Sequence, residues 1–257
     1  MATLSPSSVL VTGSNRGLGL EFIRQLLQLP HPPQMLFATC RNPSGAQELQ
    51  KLAAQHSNVR ILPLDMENVA SIQEAFLSVT DQLKGLGLNL LINNAGRAFS
   101  DSIHTESEEN MHMLYQIHVS SNLKMCQTFL PLLKKAAQTG PQDALSCSRA
   151  AIINISSIAG SISELLGWEL GPCLSYRCSK AALNMLTRCL GLALKEEGIL
   201  CAAIHPGWVQ TDMGTRSTFT PPLKKEESVQ GMLKVFSTLS EENSGGFYSW
   251  EGKTLSW

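Results

Sequence analysis

The sequence carries little charge and no excess of either sign. Of its 257 residues 16% are charged, and 20 lysines and arginines stand against 21 aspartates and glutamates, for a net charge of −1. This balance gives no electrostatic basis for nucleic acid or an anionic membrane as the main partner. Hydrophobic residues make up 43%, which is enough for a sizeable core and argues against disorder.

Long apolar runs and paired cysteines are also lacking. No run approaches the ~18 residues of a membrane span, because Arg188 and Lys195 interrupt the best candidate. The cysteines are odd in number and form neither a C-x-x-C pair nor a zinc-type spacing with histidine; they are Cys40, Cys126, Cys147, Cys173, Cys178, Cys189 and Cys201. They predict buried thiols of a reducing compartment and no metal site. With a short polar start at residues 1–8, a cytoplasmic protein is expected.

What the sequence does contain is an alternation of short aliphatic runs with longer segments of helical period. The predicted strands are residues 9–12, 35–40, 59–64, 88–93, 150–156 and 200–205, with a weaker one near 247–250. The predicted helices are about residues 17–29, 46–56, 69–84, 107–137, 174–197 and 226–239. This order is typical of parallel strands joined by crossover helices. Six β-α units leave no room for a second domain, so residues 1–257 are predicted to form a single α/β domain.

A glycine-rich segment, residues 12–19, follows the first predicted strand directly and opens the first helix. In a dinucleotide-binding turn, Gly13 would turn the chain, Gly17 would let the backbone approach a pyrophosphate, and Gly19 would let helix pack on strand. The spacing is G-x-x-x-G-x-G rather than G-x-G-x-x-G. A glycine-rich β-α turn without a ligand remains the alternative.

The acidic residue that binds the ribose of NAD is missing. Such a residue is expected about 20 positions after the glycine loop, yet no Asp or Glu occurs between Glu21 and Glu48. Instead, Arg16 lies inside the glycine loop and Arg41 follows the second strand, so two guanidinium groups can face a 2′-phosphate. The sequence therefore favours NADP(H) over NAD(H), unless both arginines are solvated surface residues.

A tyrosine and a lysine four residues apart, Tyr176 and Lys180, lie on one face of a predicted helix. A nearby ammonium lowers the pKa of a phenol from about 10, which suits proton transfer near neutral pH. The preceding strand ends in Asn154-Ile155-Ser156-Ser157, which places Ser157 beside the start of that helix. Alternatives stay open: a chance surface pair, a capping Ser157 and a structural amide at Asn154.

Taken together, these segments resemble the short-chain dehydrogenase/reductase family in order and over nearly the whole chain. The matching motifs are residues 12–19, Asn93-Asn94-Ala95-Gly96, residues 154–157, residues 176–180 and His205-Pro206-Gly207. Residues 205–213 and 250–257 are similar to the branch of sniffer-type carbonyl reductases and C-factor-like proteins. The resemblance implies one doubly wound Rossmann domain with a seven-stranded parallel sheet, and homodimers or homotetramers built through two long central helices.

The resemblance also implies roles for individual residues. Tyr176 would be the general acid, Lys180 would bind the nicotinamide ribose and lower the phenol pKa, and Ser157 would orient the substrate carbonyl. Asp65 would meet the adenine, and residues 206–211 would hold the nicotinamide end. The full predicted NADP(H) site is Gly13, Asn15, Arg16, Gly17, Leu18, Gly19, Arg41, Asp65, Asn93, Ala95, Gly96, Tyr176, Lys180, Pro206, Gly207, Val209 and Thr211.

One position departs from the family pattern. The family usually has an Asn twelve residues before the Leu of a Leu-Pro pair, and counting back from Leu130 gives His118. The usual Asn kinks the helix and holds a water that connects the lysine to solvent. Imidazole can form hydrogen bonds and titrates near neutrality, so His118 is predicted to belong to the catalytic group. It either replaces the Asn or leaves the water connection between the lysine and solvent broken. We therefore expect activity that is weak or unusually dependent on pH. A packed histidine without a chemical role is the alternative.

The expected function is therefore an NADPH-dependent reduction of a small carbonyl compound, with neither nucleic acid nor membrane as partner. Leu165, Leu166, Trp168 and Phe219 suggest an apolar or aromatic substrate. Loops at residues 139–148, 165–172 and 214–222 are candidate walls of the site. The alternative is an NADP(H)-binding regulatory or signalling protein with little turnover, to which His118 points. A sugar-nucleotide epimerase or dehydratase would need a larger C-terminal substrate domain.

Overall fold

Strands and helices alternate along the chain in the computed structural model, which describes residues 3–99, 101–139, 144–216 and 220–257. The strands are β1 Ser8–Val11, β2 Met35–Cys40, β3 Val59–Pro63, β4 Leu90–Asn93, β5 Ala151–Ile155, β6 Leu200–His205 and β7 Gly246–Ser249. The helices are α1 Gly17–Leu26, α2 Gln47–Gln55, α3 Val69–Leu83, α4 Glu108–Tyr115, α5 Ser121–Thr139, α6 Leu174–Ala193 and α7 Lys225–Phe236. Each predicted element is present, with ends that differ by a few residues.

The strands form one parallel sheet in the order β3-β2-β1-β4-β5-β6-β7. The predicted seven-stranded doubly wound α/β fold is confirmed, and the weak seventh strand lies at the sheet edge. Phe219, and parts of the loops predicted at 139–148 and 214–222, lie outside the described residues. No helix in the described part of the chain is long and apolar enough to span a membrane.

The core lies on both faces of the sheet. Strands β1, β4 and β5 are buried along their whole length, which explains why they read as unbroken aliphatic runs. On one face Phe22 of α1 stacks on Phe236 of α7 at 6.0 Å. On the other face Phe76 of α3 meets Phe129 of α5 edge to face at 5.6 Å. The two layers hold the sheet rigidly, so the loops at its carboxyl edge have a fixed base.

The single long helix predicted at 107–137 is wrong in one respect. A π-helical turn, Gln116–Ser120, separates α4 from α5, and the N–H of Ser121 donates to the carbonyl of Gln116. The wider turn changes which side chains face the sheet, and such turns occur frequently at functional sites. His118 lies at the centre of this turn and is 1% exposed. Hydrophobic periodicity does not reveal the turn because both flanking helices keep their apolar faces.

Candidate active site

A groove of about 490 Å³ opens at the carboxyl edge of the sheet. It lies where the strand order reverses between β1 and β4, the usual ligand crevice of open α/β sheets. The predicted residues on its wall are Gly13, Asn15, Arg16, Gly17, Leu18, Arg41, Asp65, Ala95, Gly96, His118, Tyr176, Lys180, Pro206 and Thr211. Gly19, Asn93, Ser157, Gly207 and Val209 were also predicted but do not line it.

The glycine loop has the geometry that the sequence predicted. Gly13 and Gly17 adopt φ of +69° and +56°, a region that favours glycine. A β-carbon on Gly19 would lie 2.1 Å from the carbonyl oxygen of Gly13, so α1 packs directly on the loop. At Gly17 the nearest atom to such a carbon belongs to Thr211, at 3.7 Å. Helix α1 has no side-chain N-cap, and its first N–H groups are free for an anion.

The two arginines predicted to recognise a phosphate border the same groove, but they differ in their contacts. Arg16 forms an ion pair with Asp212, on the loop after β6. Arg41 is exposed beside Asn42 on the groove wall. Sequence reasoning missed Asp212 because almost two hundred residues separate it from Arg16 and no motif links them.

A second ion pair, also missed, joins two other residues of the groove wall. Arg97 binds Glu67 at 2.6 Å and its Nη1 lies 3.2 Å from the sulfur of Met113. The available signal was position alone: Arg97 directly follows the motif that ends at Gly96, and Glu67 lies two residues after Asp65.

The structure brings Ser157, Tyr176 and Lys180 together. The Ser157 hydroxyl is hydrogen-bonded to the Tyr176 phenol, and it also accepts the N–H of Ala159 at 3.1 Å, so the turn-serine alternative holds as well. Lys180 donates to the carbonyl of Ile155 at 2.9 Å, and its Nζ lies 5.7 Å from the centre of the Tyr176 ring. Strand β5 and the first turns of α6 fix all three residues.

The expected lowering of the phenol pKa is wrong for this state of the protein. Burial raises the pKa of Tyr176 to about 12 and lowers the pKa of Lys180 to about 7. Loss of hydration on burial disfavours the charged form of each group. The phenol is therefore protonated at neutral pH.

His118 is at the site but does not titrate near neutrality. Its Nδ1 lies 2.9 Å from Ser179 Oγ, and its Nε2 accepts the N–H of Arg97 at 3.2 Å. Its ring meets that of Tyr176 edge to face at 5.7 Å. Burial, and then the charge of Lys180, hold the pKa of His118 well below 6.5. The expectation of an imidazole that titrates near neutrality is wrong because burial and the nearby Lys180 both disfavour the charged imidazolium.

Three predicted residues that do not line the groove, Asn93, Gly207 and Val209, make contacts or turns within the fold. Asn93 Nδ2 donates to Asn154 Oδ1 at 2.8 Å, and Asn154 Nδ2 donates to Thr187 Oγ1 at 2.8 Å. These bonds tie β4 to β5 and α6, as the structural alternative for Asn154 supposed. Gly207 turns the chain with a φ of +85°, and Val209 pairs with Leu223.

Comparisons with known proteins agree with this geometry. The model of the short chain dehydrogenase family matches residues 7–220. The NADPH-bound carbonyl reductase from chicken fatty liver is 56% identical, with a TM-score of 0.95 over 99% of this chain and 100% of that one. The carbonyl reductase Sniffer of Drosophila melanogaster is 40% identical, with a TM-score of 0.93 over 98% and 100%.

A curated relative links the chain to the second part of the predicted branch. The C-signal protein of Myxococcus xanthus is 32% identical over 171 residues, which cover 66% of this chain and 93% of that protein. The resemblance drawn from the motifs is thereby confirmed. The chain belongs to the short chain dehydrogenase family.

Proposed function

We propose that this protein is an NADP(H)-dependent oxidoreductase that reduces the carbonyl group of a small molecule, and that residues 1–257 do so as a single domain. The observation that carries the proposal is that Tyr176 and Lys180 line a groove that begins at a glycine loop, with the Ser157 hydroxyl hydrogen-bonded to Tyr176. The 56% identity to an NADPH-bound carbonyl reductase supports the same activity.

The residues of the groove fit NADPH. The uncapped start of α1 and the open face of Gly17 suit a pyrophosphate. Arg41, and Arg16 once it leaves Asp212, would hold the 2′-phosphate. At the other end, Pro206 and Thr211 would border the nicotinamide, and Asp65, which lines the groove, would meet the adenine.

The chemistry divides between cofactor and protein. When bound, NADPH supplies the hydride that reaches the carbonyl carbon. Tyr176 donates its phenolic proton to the carbonyl oxygen, so that an alcohol forms and a phenolate remains. Ser157 donates a hydrogen bond to the same oxygen and orients it. The ammonium form of Lys180, beside the ring, stabilises the phenolate until it is reprotonated. His118 supports Tyr176 as a neutral hydrogen-bonded group.

Two further properties belong to the proposal. Met111 and Tyr115 of α4 and Met185 and Leu192 of α6 are large, apolar and exposed, and α4 packs against α6. Their common face fits a second copy of the chain, hence a homodimer or a homotetramer. All seven cysteines are free thiols, which is the rule in the reducing cytoplasm. The prediction that they are buried is wrong for Cys178 and Cys189, which are exposed on α6.

The test is turnover of NADPH with a panel of aldehydes, ketones and quinones. Tyr176→Phe should abolish turnover while the protein still binds NADPH. The matched control is Tyr248→Phe, which removes the hydroxyl of a tyrosine on β7 that does not line the groove. Tight NADPH binding without turnover in the wild type would instead favour a cofactor-binding regulatory protein, and full activity of Tyr176→Phe would refute the proposed mechanism.

A further inference from the structure

Arg177, the residue after the proposed proton donor, is a buried cation whose contacts go to one loop. It is 8% exposed. Its Nε donates to the carbonyl of Pro172 at 2.8 Å and its Nη2 donates to the carbonyl of Leu166 at 3.2 Å. The guanidinium also lies 5.5 Å from the centre of the Trp168 ring. The side chain therefore holds three points of the segment 166–172.

Stability of the folded protein alone does not explain why a charged side chain is buried here. Burying a charged group costs several kcal/mol of hydration unless it is fully paired, and Arg177 forms no ion pair with a carboxylate of the described residues. Its Nη1 is buried and has no hydrogen-bond partner in the described part of the chain. An apolar side chain of similar volume would fill the space without that cost. A guanidinium adds a defined geometry to the loop, because its planar, forked N–H groups fix two carbonyl groups and a ring relative to one another.

The loop it holds, residues 161–173, connects Ser157 to the Tyr176 helix. Near its start, a β-carbon on Gly160 would lie 2.6 Å from the main chain of Lys180, so the chain leaves the site in close contact with α6. Farther along, the N–H and hydroxyl of Ser163 donate to the main-chain oxygen of Trp257 at 2.9 and 2.7 Å. Arg177 then fixes the returning half of the loop. Both halves are thus anchored, and the Arg177 anchor belongs to the helix that carries Tyr176.

The outward side of the loop is apolar. Leu165, Leu166 and Trp168 are 57%, 55% and 42% exposed. The loop joins two residues that would bind one substrate oxygen, and its side chains lie outside the groove that would hold NADPH, so they are available to the rest of the substrate. These side chains suit an uncharged aliphatic or aromatic group.

We propose that Arg177 is a positioning residue that fixes loop 161–173 beside Tyr176 and thereby selects bulky apolar carbonyl substrates, without touching substrate or cofactor. The proposal rests on the proposed function. Lysine cannot replace this arginine, because a single ammonium does not span two carbonyl groups six residues apart while lying flat on an indole.

The experiment compares Arg177→Lys with Arg188→Lys, the same substitution at an exposed position of the same helix. KM and kcat are measured for a bulky aromatic ketone and for a small aliphatic aldehyde, together with the Kd of NADPH. In Arg177→Lys we expect KM for the aromatic ketone to rise about tenfold or more, with KM for the small aldehyde and Kd for NADPH within about twofold. Arg188→Lys should match the wild type in every measurement.

Hydrogen exchange gives a readout that does not depend on turnover. Amide exchange in loop 161–173 should be faster in Arg177→Lys by about tenfold or more, while α6 below it keeps its protection. Equal losses for both substrates with unchanged loop exchange would overturn the proposal, because Arg177 would then act through Tyr176 itself. If wild-type protein binds NADPH but reduces no carbonyl, the proposed function fails, and loop exchange alone still decides whether Arg177 fixes the loop.

A second variant covers the case in which Arg177→Lys does not fold. Trp168→Ala keeps Arg177 and both of its carbonyl bonds and removes only the ring beneath the guanidinium. It should loosen the loop and raise KM for the aromatic ketone selectively. Wild-type exchange and wild-type KM values in this variant would count against the proposal.

Discussion

The imidazole of His118 and the hydroxyl of Ser179 lie 2.9 Å apart, and that hydroxyl donates to the carbonyl of Tyr176 at 2.8 Å. Because Nε2 of His118 accepts the N–H of Arg97, the ring proton must be on Nδ1 and point to Ser179. Three hydrogen bonds thus connect the loop after β4 with the main chain of the tyrosine. A β-carbon on Gly96 would lie only 2.9 Å from His118 Nε2, so the absence of a side chain at Gly96 lets the ring approach the loop this closely.

Replacement of His118 should lower activity without changing its pH dependence. His118→Phe removes both hydrogen bonds and leaves the N–H of Arg97 buried without a partner, so kcat should fall by about 10- to 100-fold. His118→Asn should retain more activity, because a side-chain oxygen replaces one acceptor. The measurement is kcat between pH 5.5 and 8.5, with His112→Asn on the exposed face of α4 as control. An ionisation near pH 6.5 that disappears in His118→Asn would contradict a neutral role.

Arg41 should decide between the two nicotinamide cofactors. Its guanidinium lines the groove and forms no ion pair with another described residue, so it is free for a 2′-phosphate. Arg41→Ala should weaken NADPH binding about tenfold or more through loss of charge-assisted hydrogen bonds. NADH binding should not change, and the exposed Arg60→Ala on β3 serves as control. Equal weakening of both cofactors would show that Arg41 contacts another part of the nucleotide.

Lys180 should make the cofactor-free protein more stable as the pH rises above 7. Its pKa falls from 10.5 to about 7 on folding, so between these values the unfolded chain binds more protons and stability increases with pH. Below pH 7 the Lys180 ammonium is protonated in both the folded and the unfolded chain, so the full free-energy cost of burying its charge remains. Lys180→Met should therefore raise the free energy of unfolding at pH 7 by about 2–4 kcal/mol, and this advantage should shrink towards pH 10. Denaturation at several pH values tests this, and a constant difference would contradict it.

Met185 should matter for association and not for folding. It is 64% exposed on α6, in the apolar face proposed to meet a second copy. Met185→Glu would bury a charge in such an interface and should yield monomers in light scattering. Leu77→Glu, at a 58% exposed position of α3, is the matched control and should leave the oligomer intact. If the mass of the Met185→Glu variant equals that of the wild-type oligomer, Met185 does not lie in the interface and the prediction is wrong.

The parts of the site that the sequence predicts are those built from neighbouring residues. The glycine loop is a turn whose conformations depend on Gly13 and Gly17 themselves, and Tyr176 and Lys180 share a face because one helix carries both. The π-helical turn at His118 escaped prediction because it depends on packing between Gly96 and Ser179, which come from other segments. The shifted pKa values of Tyr176 and Lys180 escaped it for the same reason, since burial is a property of the folded molecule.

By itself, the sequence determined the order of strands and helices, the family, and the residues with chemical groups suited to hydride and proton transfer, because periodicity and motif spacing are local along the chain. Only the tertiary structure decided which charges meet, as in Arg16 with Asp212 and Arg97 with Glu67. Only the tertiary structure also showed that His118 stays neutral and that Arg177 is hydrogen-bonded to the loop leading to Tyr176. Contacts of this kind depend on how distant segments pack and on how far water is excluded, and neither leaves a pattern in the sequence.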